Sequence, residues 1–243
     1  GASPFQRPKR GCGGWCKMQF NNFPPGVAAT GSPPVAVTYV GAVGSSSDSS
    51  VYTFSAEPIG ATADNRVIVV TVHGERNGGG TYPITGVTLD GNAMTEVIQD
   101  GTTSKPTTAG IYMLAWASGT TAEFIVTWPA SQLRCAITVY QLSGAVEPVV
   151  YGTPASDAAA AANLSVTLSA QPIGVAFIAA NTNEGAGAGL SGDIVEDVAG
   201  TVEGMSRAAG HYETTVVEDV TVTETEAYPD DKALCLAAFW SRA

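Results

Sequence analysis

The residues best suited to chemistry are few. Cys12 and Cys16 lie in Gly11-Cys12-Gly13-Gly14-Trp15-Cys16, a glycine-rich segment close to Arg7, Lys9, Arg10 and Lys17. Nearby positive charge favours the thiolate, so these two thiols are the candidates for oxidation. Three outcomes fit them: a local disulfide, crosslinks to neighbouring chains, or half of a metal site. A zinc site needs two further ligands, and the nearby sequence supplies none. A disulfide is the favoured outcome, with intermolecular linkage as its sharper form. Cys135 and Cys235 differ, since each sits mid-strand among apolar residues. They read as small buried hydrophobes. A bridge between them is the alternative, provided their strands are adjacent.

Two histidines complete the repertoire, His73 in His73-Gly74-Glu75-Arg76 and His211 in Gly210-His211-Tyr212-Glu213. Their strands fall in opposite halves of the chain and could meet, with Glu75 or Glu213 as an orienting acid. Neither has a second His, Cys or Asp at ligand spacing, so each is expected to be a strand-end or surface residue. No G-x-S-x-G elbow, phosphate loop or H-E-x-x-H motif occurs. The acid pairs Glu218-Asp219 and Asp230-Asp231 read as acidic loops rather than a glycosidase pair. Trp116, Trp128, Tyr82 and Tyr112 could stack on a sugar ring, but Trp116 and Trp128 alternate with their neighbours as core residues do. The expectation is a non-enzymatic protein with no catalytic residue, no metal and no cofactor.

The elements that would carry these residues are strands. The chain has 243 residues, of which 14% are charged, with 28 Gly and 14 Pro. Low charge with many β-branched residues and turn formers indicates an all-β protein. From Val35 onward the apolar pattern has period two, and fourteen strand candidates follow at short, regular spacing. Leu89-Asp90-Gly91-Asn92-Ala93 is a hairpin signal. Residues 158–162 form the one helix-prone run, enough for a turn or two.

Two segments echo each other. Phe54-Ser55-Ala56-Glu57-Pro58-Ile59-Gly60 and Leu168-Ser169-Ala170-Gln171-Pro172-Ile173-Gly174 share the pattern S-A-x-P-I-G, and each leads into an apolar strand and then a glycine-rich loop. Their separation is too long for a solenoid repeat and suits two matching halves of one β-sandwich. The expected fold is therefore all-β, a two-sheet antiparallel β-sandwich of jelly-roll type over residues 35–243, preceded by an irregular arm over residues 1–34. Six prolines break up that arm, yet Phe5, Trp15, Met18, Phe20 and Phe23 punctuate it. So many large apolar groups imply packing against the body or a partner.

Charge is divided between the two parts. Net charge is −11, but no acid precedes Asp48, and the arm holds Arg7, Lys9, Arg10 and Lys17. An acidic body repels nucleic acid, while a basic arm suits an acidic neighbouring surface. No apolar run reaches the length of a membrane span.

The body resembles a family of β-sandwich proteins encoded in tailed bacteriophages and prophages. The likeness is carried by residues 54–60 followed by Asp64-Asn65-Arg66-Val67-Ile68-Val69-Val70, and by the hairpin at 87–93. Ser118-Gly119-Thr120-Thr121-Ala122 before Phe124-Ile125-Val126-Thr127-Trp128, the segment 134–144 and the closing Ala237-Ala238-Phe239-Trp240 carry the rest. It covers residues 35–241 and excludes the arm. The resemblance implies a virion component: decoration, neck or collar, or tail-associated, on an extracellular particle and contacting other virion proteins and copies of itself. It implies no catalytic residues. In this reading Trp15, Phe20 and Phe23 anchor the arm, Arg7, Lys9, Arg10 and Lys17 face acidic surface, and Cys12 and Cys16 lock the contact. The alternative is a carbohydrate- or receptor-binding module of a phage fibre or secreted adhesin, with a host surface glycan as partner.

Overall fold

The structure, a computed structural model, describes residues 34–241 except 77, 145–146, 161–163, 172–173, 184–188, 203–204 and 226–230. The candidates on the arm, Arg7, Lys9, Arg10, Cys12, Trp15, Cys16, Lys17, Phe20 and Phe23, lie outside the described residues.

Among the described residues every regular element is a strand. The first half runs β1 (Ala36–Ser45), β2 (Ser49–Pro58), β3 (Val67–Glu75), β4 (Gly86–Leu89), β5 (Asn92–Ala93), β6 (Thr95–Gly101), β7 (Thr107–Ala115), β8 (Thr121–Gln132) and β9 (Arg134–Ser143). The second runs β10 (Pro148–Ala160), β11 (Ser165–Gln171), β12 (Val175–Asn183), β13 (Leu190–Gly192), β14 (Val195–Val202), β15 (Met205–Glu213), β16 (Glu218–Glu224) and β17 (Asp231–Ser241). One five-stranded sheet has the order β1-β9-β3-β7-β6 and the other β10-β17-β12-β15-β14; the smaller sheets are β2-β8-β4-β5 and β11-β16-β13. The two orders match strand for strand. With β5 and β6 counted as one strand that changes sheet, each half has the layout of an eight-stranded jelly roll.

The antiparallel sandwich architecture expected from the sequence is present, but in two copies where the sequence reading placed a single two-sheet sandwich over residues 35–243. Each half has its own two sheets and its own core, and the two large sheets pack face to face between them. One core lies inside the first half, built on Phe54, Ile68, Val70, Phe124, Trp128 and Ile137. Another lies inside the second half, built on Leu164, Phe177, Val220, Val222, Leu234 and Leu236. The third joins the halves through Val67, Val69, Ile111 and Tyr140 on one side and Ile178, Ala209, Cys235 and Phe239 on the other. The described body is thus four layers deep. For that reason β3 and β12, central in the large sheets, are buried at all nine positions. Strand β8, in an outer sheet, alternates between inside and outside for most of its length. Strands buried on both faces read as continuous apolar runs, and strands with one wet face alternate.

The halves face each other with their edges exchanged. Edge strand β10 lies against β6, while β1, the counterpart of β10, lies against β14, the counterpart of β6. A pseudo-twofold axis therefore relates the two jelly rolls, as in an isologous dimer.

Local signals explain the turns. Asp90 and Gly91 have φ of 46° and 76°, the two positive values that a type I′ hairpin requires. Gly60 and Gly174, the final residues of the S-A-x-P-I-G pair, have φ of 78° and 79°. The repeated motif thus encodes the same left-handed turn before β3 and before β12. Residues 158–160, part of the helix-prone run, are instead strand at the end of β10, opposite Ala233, Lys232 and Asp231 of β17. Ala158 packs into the core between the halves, and that tertiary burial overrides alanine's helix preference.

Candidate functional site

Strand β3 places Thr71 and His73 on the face that meets the second half, and His73 is fully buried there. Its Nδ1 lies 3.1 Å from the backbone oxygen of Asn181 and 3.0 Å from Thr182 Oγ1; its Nε2 lies 2.9 Å from Thr71 Oγ1. A carbonyl oxygen can only accept, so Nδ1 carries the proton and Nε2 accepts from the Thr71 hydroxyl. Burial pushes the His73 pKa down to about 3, helped by the positive charge of Arg207 and opposed by the Asn181 carbonyl. Arg207 crosses the same interface and donates from Nη1 to the Ile137 carbonyl at 2.9 Å. His73 is thus a neutral bridge between the two jelly rolls rather than a base poised for catalysis.

His211 keeps separate company. Its Nδ1 lies 2.7 Å from Asp197 Oδ2, and that hydrogen bond raises its pKa against the opposing effect of burial. Glu75 accepts from Arg134 Nη1 at 2.7 Å, and Glu213 accepts from the backbone N–H of Val37. The acids the sequence offered as partners for the histidines are therefore spent elsewhere. Among the described residues no group of three His, Cys, Asp or Glu side chains could hold a metal ion.

Cys135 and Cys235 are both buried free thiols, which removes the bridge between them. Their strands lie in different large sheets, β9 in the first and β17 in the second. Cys135 packs inside the first jelly roll and Cys235 between the two. Burial pushes the Cys135 pKa up to about 12 and that of Cys235 higher still. Neither thiol is expected to react with a water-soluble disulfide reagent at pH 8 in the folded protein. Peptide mapping after native labelling, with labelling in denaturant as the reference, checks this; modification of either in folded protein would show that its core opens.

The aromatic platform does not assemble. Trp128 and Tyr112 are 3% and 2% exposed in the first core, and Trp116 packs against it. Tyr82 has the Arg76 guanidinium 4.1 Å above its ring. A cleft of about 520 Å³ beside β13 and β14 is lined by Leu190, Glu196, Ser206 and Thr225 among others. Its one carboxylate, Glu196, already accepts from the Leu190 N–H at 2.7 Å.

One constellation escaped the sequence reading. Lys232 Nζ lies 2.9 Å from Glu224 Oε2, with both side chains at 0% exposure. Strands β17 and β16 bring them together from the two sheets of the second jelly roll. Asn181 and Asn183 are fully buried on β12. A lysine, a glutamate and two asparagines are thus fully buried in the second jelly roll. The sequence signal was faint: polar residues at the ends of otherwise apolar strands.

No protein-family model matches the chain, and no curated protein matches it.

Proposed function

We propose that the chain is a non-enzymatic structural component of a tailed-phage virion, a decoration, neck, collar or tail-associated protein. Residues 1–34 attach it to neighbouring subunits. The observation that carries this reading is a division of labour. The body buries His73 between its halves and both described thiols in cores, and pairs Glu75 with Arg134 and His211 with Asp197. The basic, aromatic and cysteine residues suited to contact fall within the first thirty-four residues of the sequence. Four packed layers and a doubled jelly roll suit a persistent particle part, and disulfides survive outside cells. The strand-and-turn likeness to phage sandwich proteins supports the same reading.

Deleting residues 1–20 is expected to abolish incorporation into particles while leaving the body's unfolding transition in place. Particle pelleting with immunodetection reads the first, and circular dichroism the second. Undiminished incorporation would refute the anchoring role. For the covalent form, native assemblies with blocked thiols should run above monomer mass on a non-reducing denaturing gel, and a band at monomer mass alone would refute it.

A further inference from the structure

Strand register places Lys232 directly opposite Asn183 on the neighbouring strand β12. Directly opposed residues on antiparallel strands project to the same face, with Cβ atoms about 4.5–5.5 Å apart. That face is the interior of the second jelly roll. Residues 234, 236 and 238 of β17 and 175, 177 and 179 of β12 line its core, and Lys232 and Asn183 continue those two series. Glu224 continues the core series of β16 after Val220 and Val222, and meets the amine from the facing sheet. Amine and carboxylate therefore meet on the face onto which the Asn183 carboxamide also projects, and all three residues are at 0% exposure. Two residues along the same face, Asn181 is equally buried, and neither its amide oxygen nor its nitrogen has a hydrogen-bond partner. A wholly unsatisfied buried amide demands an explanation.

We propose that Lys232 and Asn183 are the partners of an intramolecular isopeptide bond that the folded protein forms by itself, with Glu224 as the proton carrier. Moving one proton across the 2.9 Å hydrogen bond converts ammonium and carboxylate into amine and carboxylic acid. The amine lone pair then adds to Cγ of Asn183, forming the new C–N bond and sending the carbonyl π pair to Oδ1. Asn181 supplies the spare amide donor on that face for the oxygen that gains charge. Glu224 takes a proton from the attacking nitrogen and delivers one to Nδ2. The Cγ–Nδ2 bond breaks and ammonia leaves. The product is a secondary amide, and no oxidant, reductant or cofactor takes part. Holding the groups in one geometry supplies the effective concentration the reaction needs, and exclusion of water protects it from hydrolysis. In the first jelly roll the strand-end pair across β3 and β9 is Glu75 with Arg134. A guanidinium is always protonated and has no nucleophilic lone pair, so one bond per chain is expected.

The inference does not depend on the virion reading. The test is intact mass of the full chain, reduced and denatured. The expected mass is about 17 Da below that of the sequence, the mass of one ammonia. Proteolysis should yield a branched peptide joining residues 183 and 232. Lys232→Arg and Glu224→Gln should each restore the full mass, with folding verified by circular dichroism. The full sequence mass in folded wild-type protein would overturn the proposal, as would a deficit that persists in Lys232→Arg or a branch mapped to Asn181. Because mass and branch are read on the wild-type chain, a variant that fails to fold does not remove the test.

Discussion

Replacing Arg66 with methionine is expected to destabilise the body by about 3–5 kcal/mol, seen as a lower urea midpoint at an unchanged slope. Arg66 is 1% exposed and stands immediately before β3. Its Nε donates to the Trp116 carbonyl at 2.6 Å, and its Nη1 to those of Ala61 at 2.9 Å and Gly60 at 3.2 Å. Its Nη2 donates to the carbonyl of Ser118. One guanidinium thus holds the loop between β2 and β3 against the segment between β7 and β8. Methionine fills similar volume and supplies no donor, so several carbonyls lose their partner at once. Each buried acceptor left unsatisfied costs about 1–3 kcal/mol, and water reaches only the outer ones. Arg66→Lys should recover only part of the loss, because a single ammonium cannot serve the planar fork. A change below about 1 kcal/mol in Arg66→Met would mean the loop holds itself.

The second large effect is a loss of stability in mild acid that starts near neutrality. The folded pKa of His73 is about 3, against an ordinary value of 6.5. The folded state keeps the ring neutral while the unfolded state takes up a proton. Stability is therefore complete above pH 6.5 and falls progressively as pH drops toward 3. The slope approaches about 1.4 kcal/mol per pH unit, so about 2 kcal/mol is lost by pH 5, before most carboxylates titrate. His211 works in the opposite sense. Asp197 raises its folded pKa, so it adds stability below its unfolded value and loses it as pH rises through the folded one. Comparing wild type with His73→Gln isolates the first effect: the variant's urea midpoint should vary less between pH 7 and pH 5. Parallel pH profiles for the two proteins would refute the assignment to His73.

Much of this architecture is legible in the residues once the physical reason is clear. The Asp90-Gly91 turn and the twin glycines at 60 and 174 follow from the positive φ they adopt. The layer count was also written, less plainly. Val67 to Val72 and Val175 to Ala180 are almost wholly apolar, whereas Glu123 to Trp128 alternates. Continuous runs belong to sheets covered on both faces, which two layers cannot supply. The alanine run in β10 misled because its helix preference is weak beside burial against β17. The site was harder to see. Lys232 and Asn183 are forty-nine positions apart, and only the β12–β17 register makes them neighbours. Nothing local to either residue reports that pairing, and Glu224 reaches them from a different sheet.

The exchanged edges of the two jelly rolls have a consequence for assembly. Such an arrangement is what two separate half-length chains would form by association, with an equilibrium set by their concentration. Here four residues of sequence separate Ser143 at the end of β9 from Pro148 at the start of β10. A tether of that length spans less than about 20 Å. It makes docking of the halves a unimolecular event at high effective concentration. Dilution then cannot part them.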